Sequence, residues 1–256
     1  MKKDTVLITG ASSGLGREMA RIVSKDAHKL ILVGRNTERL KELKSELVKA
    51  GGDLEVVTEA MDLGVHENCE KLHENYSDVD LLINNAGFGD FGDFDKTSLD
   101  KDVQMIETNV IALHMLTKLY LKDMIEKDSG HILNVASIAG FMPGPLMATY
   151  YATKAYVVRI SEAIRQELKR KGSKVGISIL CPGPVSTNFA KNANISFLFM
   201  GSDVHWVAEY ALKHLNRFYI VPKLYVKVSR IAIRFIPTAL TARIIYFLQS
   251  KRKVEK

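Results

Sequence analysis

The chain has 256 residues, 46% hydrophobic and 25% charged, with a net charge of +7. That length suits one α/β domain with a sizeable core, and the composition is that of an ordinary globular protein. No apolar run reaches the roughly 20 residues of a membrane span, and Cys69 and Cys181 stand at no metal or redox spacing, so a spanning protein, a structural metal site and a disulfide scaffold are all excluded as expectations.

Met1 to Thr5 leads straight into a strand pattern, so a secretory signal is not expected and a reducing, cytoplasmic setting is. Thr5 to Thr9 reads as a first buried strand. Gly10-Ala-Ser-Ser-Gly14-Leu-Gly16 follows, then a helical pattern through Arg21 and Ile22. Strand, glycine turn and helix together make a dinucleotide site credible, because glycines let backbone approach a pyrophosphate whose charge suits a helix amino end. Lys29 to Gly34 is the second strand. An acid at its tip would accept from a ribose 2′-hydroxyl, whereas an Arg accommodates a 2′-phosphate. The tip here is Gly34-Arg35-Asn36, with Arg39 one turn on and no acid, which points to the phosphorylated cofactor, NADP(H). Arg39 to Ala50 reads as a charged amphipathic helix closed by Gly51-Gly52. Leu54 to Ala60 is a third strand ending at Asp62-Leu63, and Asp62 can cap a helix starting near Gly64.

Asp80 to Gly87 is a fourth strand running into the turn Asn84-Asn85-Ala86-Gly87, with Phe88, Phe91 and Phe94 close behind. Those aromatics can line a substrate mouth or pack on the core. A long helix from about Ser98 to Glu126 carries Asn109, and His114 and His131 read as structural. His131 to Ala136 is an apolar run bounded by Gly130, hence a buried strand, with Ser137 at its end. Thirteen residues on, past a Gly/Pro-rich loop, Tyr150 and Lys154 stand four apart and so share a helix face. A phenol with an ordinary pKa of about 10 becomes a usable proton donor near neutrality only beside a cation.

These motifs, in this order, resemble the short-chain dehydrogenase/reductase family in its NADP(H)-using branch. The resemblance covers about Thr5 to Thr187. It implies a doubly wound, Rossmann-like α/β fold with a mostly parallel sheet and helices on both faces. It implies catalysis by Ser137, Tyr150, Lys154 and Asn109, the asparagine kinking its helix and holding a water against the lysine. The cofactor set it implies is Gly10, Ser12, Ser13, Gly14, Leu15, Gly16, Arg35, Asn36, Arg39, Asp62, Leu63, Asn85, Ala86, Gly87, Tyr150, Lys154, Pro182, Gly183, Val185 and Thr187. Asp62 would meet the adenine amino group, and the Pro-Gly turn and Thr187 the carboxamide and pyrophosphate. Dimers or tetramers are common in the family.

Lys174 to Leu180 is a further buried strand ending in Cys181, which reads as a small apolar residue rather than a reactive thiol. A substrate lid is expected over about 188–215. Its Ile195, Phe197, Leu198, Phe199 and Met200, with Phe141, Met142, Leu146 and Met147, suggest a greasy pocket, though ordinary packing explains them nearly as well. Ser202 to Leu215 looks helical, and Phe218 to Pro222 is a short last strand.

From Arg217 to Lys256 there are ten Lys/Arg and one acid, a balance of +9, so the chain before Arg217 sums to −2. Basicity belongs to the tail, and no nucleic-acid partner is expected. Residues 1–222 read as the catalytic domain and 223–256 as a basic amphipathic helical extension. Pro237 separates two apolar helices there. They can pack on a partner subunit or the body, lie on an anionic membrane, or hold an anionic handle of the substrate.

The expected function is reduction of a lipophilic ketone or 3-oxoacyl substrate, by hydride exchange between a nicotinamide and a carbonyl or secondary alcohol. A reading from another class is a dinucleotide-binding sensor or scaffold without catalysis, which the intact Ser137, Tyr150, Lys154 and Asn109 set speaks against.

Overall fold

The computed structural model describes residues 4–50, 52–187 and 201–251. Its framework is a seven-stranded parallel sheet in the order β3-β2-β1-β4-β5-β6-β7. The strands are β1 (Thr5–Thr9), β2 (Lys29–Gly34), β3 (Glu55–Ala60), β4 (Leu81–Asn84), β5 (His131–Val135), β6 (Gly176–Leu180) and β7 (Tyr219–Ile220). The central ones are continuous apolar runs because both sheet faces are covered. Alternation along β1 shows the division: Val6 and Ile8 enter one core and Leu7 the other, all fully buried. The first core is closed by α1 (Gly14–Val23), α2 (Thr37–Lys49) and α7 (Val204–Lys213). The second is closed by α3 (His66–Asn75), α5 (Leu113–Glu126) and α6 (Ala148–Arg170).

The chain runs from β1 to β2 on one side and returns to β4 on the other. The strand order therefore reverses between β1 and β4, and the carboxyl ends of these strands open a crevice there.

Four local outcomes differ from the sequence expectations. Helix α2 starts at Thr37, two residues early, because the Asn36 carboxamide oxygen accepts from Arg39 N at 2.8 Å and caps it. The long helix is not one helix but α4 (Leu99–Ile106), a π turn at Glu107–Ala112, then α5, and Asn109 sits in the π turn. The interruption is thus one of wider hydrogen-bond spacing within the turn. Asp62 does not cap α3, which starts at His66 behind Val65; its carboxylate instead accepts from Gly64 N at 2.9 Å and shapes the preceding turn. Finally, of the segment expected to be a lid, 188–200 lies outside the described residues, and α7 is scaffold. Its Val207, Ala208, Ala211 and Leu212 are buried in one core with Met19, Ala20 and Val23 of α1.

After β7 the chain forms α8 (Leu224–Ala232), a 3-10 turn at Ile233–Phe235 and α9 (Thr238–Ser250). Among the described residues no helix is long and apolar enough to cross a membrane.

Candidate active site

The β1–α1 turn is built for close approach. Gly10 and Gly14 hold φ of 66° and 54°, the left-handed region that glycine tolerates. A Cβ on Gly10 would stand 2.9 Å from Ala86 Cα, and one on Gly16 only 2.5 Å from Gly10 O and Asn85 Nδ2. Gly16 therefore does not line the crevice; it lets α1 lie against its own turn. Gly16→Val is expected to destabilise the fold by about 1–3 kcal/mol through overpacking, seen as a lower denaturation midpoint. An unchanged midpoint would contradict this packing.

Helix α1 begins at Gly14, behind an extended Ser13 whose side chain makes no cap, and has no acid in its first turn, so its leading N–H groups are available to an anion. Across the turn, Thr9 Oγ1 accepts from the N–H of both Asn85 and Ala86 at 2.9 Å, and Asn85 Nδ2 donates to Thr9 O at 2.9 Å. This staple fixes the ends of β1 and β4 side by side. Thr9 escaped the sequence reading, where it served only as a strand end.

One cleft of about 530 Å³ runs along these strand ends. At one end it is lined by Gly10, Ser12, Ser13, Gly14, Leu15, Arg35, Asn36, Arg39, Asp62 and Leu63. Further along come Asn85, Ala86, Gly87, Ser137, Tyr150, Lys154, Pro182, Gly183, Val185 and Thr187. Of the residues nominated for catalysis and cofactor binding, only Gly16 and Asn109 do not line it; of the apolar residues nominated for a substrate mouth or pocket, Phe88 and Met147 line it and Phe91, Phe94, Phe141, Met142 and Leu146 do not. Met61, Thr108, Ile138 and Tyr151 line it unforeseen. Phe94, by contrast, is exposed, and Phe141 lies beneath the Arg230 guanidinium and against Tyr219. The greasy lining therefore includes Met147 but not Phe141.

At the β2 tip, Arg35 Nη1 is 3.7 Å from the Asp62 carboxylate, and its guanidinium carbon is 5.9 Å from the centre of the Phe88 ring. Arg35 and Arg39 are exposed, and no carboxylate stands on β2 or in the two residues after it. A 2′-phosphate fits this donor set.

At the other end, Ser137 is extended and caps the 3-10 turn Ile138–Phe141; its Oγ accepts from Ala139 N at 3.1 Å, leaving the hydroxyl proton to donate elsewhere. Lys154 is buried, donates to Val135 O at 2.8 Å and lies 5.9 Å from the centre of the Tyr150 ring. Burial pulls its pKa down from the ordinary 10.5 to about 8. Asn109, also buried, clamps Phe88 through both its amide N–H and carbonyl and donates to Thr153 Oγ1 at 3.1 Å. Gly87 separates it from the lysine: a Cβ there would lie 2.9 Å from Asn109 Oδ1 and 3.5 Å from Lys154 Nζ. Cys181 is a buried thiol whose pKa burial pushes up to about 12, which suits packing rather than nucleophilic chemistry. His114 and His131 pair with Tyr156 and Ser178, as structural histidines do.

The lysine has a testable signature. Between about pH 8 and 10.5 the unfolded chain keeps this proton while the folded one releases it, so the unfolded state binds more protons and stability rises with pH. In cofactor-free protein the stability of wild type minus that of Lys154→Met is expected to climb across this window. A flat difference in urea midpoints would contradict the buried ammonium.

The model of the family described as short chain dehydrogenase matches residues 4–196. The chain belongs to the short-chain dehydrogenase family. A short-chain dehydrogenase from Sphingobium yanoikuyae, solved in complex with NADPH, superposes with a TM-score of 0.83 at 28% identity, over 91% of this chain and 92% of that one. A family member from Burkholderia phymatum in complex with NAD superposes with a TM-score of 0.79 at 25% identity, over 90% and 92%. Among curated relatives, the ketoacyl reductase HetN of a Nostoc species is 37% identical over 186 residues, 71% of this chain and 63% of that protein. Short-chain dehydrogenases are oxidoreductases that use a nicotinamide cofactor, and the fold and the glycine turn of this chain agree with that.

Proposed function

We propose that this short-chain dehydrogenase is an NADP(H)-dependent reductase of a lipophilic ketone or 3-oxoacyl substrate, with its chemistry centred on Tyr150. The observation that carries the reading is the single cleft that joins the glycine turn and uncapped α1 to Ser137, Tyr150 and the buried Lys154. The bound nicotinamide would supply the hydride. Tyr150 would give its proton to the carbonyl oxygen as charge develops there, and the Ser137 hydroxyl would donate to the same oxygen and orient it. Lys154 is a cation at neutral pH one helical turn from Tyr150; its charge would favour the phenolate left behind, and its ammonium would hold the nicotinamide ribose. Asn109, across Gly87 from the lysine, would position the water that returns the proton.

The absence of an acid at the β2 tip and the exposed Arg35 and Arg39 support the 2′-phosphate. Phe88, Ile138, Met147 and Tyr151 along the cleft support a lipophilic substrate, and a ketoacyl reductase among the relatives agrees with it. The test is cofactor oxidation by the purified protein over a panel of ketones and 3-oxoacyl thioesters, with NADPH and NADH in parallel. Turnover with NADPH on the long-chain members is expected. Binding of NADPH with no turnover on any carbonyl would replace the reductase by a dinucleotide-binding sensor.

A further inference from the structure

We propose that the two C-terminal helices seat this protein on an anionic lipid surface. Both helices turn large apolar side chains to solvent, and the second is inside out. In α8 and the turn after it, Leu224, Val228, Ile231 and Phe235 recur at helical spacing and are 74%, 58%, 55% and 83% exposed, while Val226 on the opposite side is buried. In α9, Leu240, Ile244, Phe247 and Leu248 face solvent, while the polar Thr241 and Gln249 are turned inward and buried. A helix at the edge of a water-soluble body does the reverse. The inward polar groups tie the helices down: Gln249 Nε2 donates to the Tyr151 hydroxyl at 3.0 Å, and the Arg230 guanidinium lies 4.1 Å from the centre of the Tyr219 ring. The apolar face is thus held outward by the body of the protein.

Charge selects the occupant. From Lys223 to Lys251 the sequence carries Lys223, Lys227, Arg230, Arg234, Arg243 and Lys251, six cations, and no Asp or Glu. A second copy seated on this face would bring cations against cations with no acid between them. An anionic bilayer interface complements both features, accepting the apolar stripe among its acyl chains and the exposed cations, Lys223, Arg234, Arg243 and Lys251, among its headgroups. The helices, of 9 and 13 residues, are suited to lie in that interface rather than cross it. Docking itself does not depend on the proposed reductase activity. If that activity holds, the Gln249–Tyr151 bond puts the lipid face beside the substrate end of the cleft, because Tyr151 lines it next to Tyr150.

The test is flotation of the full chain with vesicles of phosphatidylcholine plus phosphatidylserine, against phosphatidylcholine alone, with no turnover measured. Wild type is expected to float with the anionic vesicles and to be released by salt. Combined Leu224→Gln, Phe235→Ser and Phe247→Ser substitutions, all at exposed positions, are expected to weaken vesicle binding by about tenfold or more. Circular dichroism verifies the variant's fold, and sedimentation reports its oligomeric state. No flotation of wild type, equal flotation of the variant, or equal binding to neutral vesicles would overturn the proposal. So would a wild-type dimer that the same substitutions dissociate without any vesicle binding, which would put a second copy on the face.

Discussion

Tyr150→Phe is expected to lower turnover by about 10³-fold while leaving NADPH affinity within a few-fold of wild type. The substitution removes one hydroxyl and keeps the ring in its contacts, 6.1 Å from the Tyr151 ring and 5.9 Å from Lys154 Nζ, so the cleft should keep its shape. The loss should therefore fall on kcat, the signature of an interaction made in the transition state. A small change in kcat would remove Tyr150 from the proton transfer, and an equal loss of cofactor affinity would make it a binding residue. Reduction should also fall as pH rises, since it consumes the phenol proton, whereas oxidation of the corresponding alcohol should rise.

The second large effect is expected at the β2 tip. Arg35→Asp puts a carboxylate where a ribose 2′-hydroxyl can donate and where a 2′-phosphate is repelled. It also turns the 3.7 Å contact with Asp62 from attraction into repulsion. Arg35 is about two-thirds exposed, so its pairing with Asp62 itself contributes little to stability, and the fold should tolerate the change. Loss of a charge-assisted phosphate contact and gain of a repulsion together should move the NADPH/NADH preference by about 10² to 10³-fold in kcat/KM. An unchanged ratio would shift the 2′-phosphate contact to Arg39 or to Ser12, whose hydroxyl packs against Gly34.

Much of the scaffold was legible because it follows from runs and breaks. Strands β1 and β2 end where their apolar runs meet Gly10 and Gly34, and the Tyr150–Lys154 spacing survives as one face of α6. Less legible were features decided by contacts between distant residues. Nothing local distinguishes Thr9 as the staple of β1 to β4 until Asn85 arrives beside it, 76 residues later. The π turn has no periodic signature of its own, since one extra residue in a turn barely disturbs the apolar pattern. The nomination of Phe141 failed for a similar reason: a loop aromatic can point at the cleft or at the core, and the arrival of Arg230 and Tyr219 decides for the core.

The tail shows the same limit most clearly. Its helices and its charge can be read from the sequence, but periodicity alone does not say which face turns inward. Burial of Thr241 and Gln249, with Phe235 and Phe247 left outside, is a tertiary outcome. Gly16 and Asn109 are a milder case. Both belong to the set that the resemblance implies, yet they lie behind the cleft wall, one letting helix and turn touch and the other clamping Phe88.

Hydride transfer at this cleft is tested most directly by isotope. The protein would turn over a panel ketone with NADPH deuterated at the transferring position of the nicotinamide ring, and mass spectrometry would read the alcohol formed. One deuterium on the carbinol carbon in wild type, and almost no alcohol from Tyr150→Phe, is the expected result. Alcohol without deuterium, or equal yields from wild type and variant, would contradict a reductase centred on Tyr150.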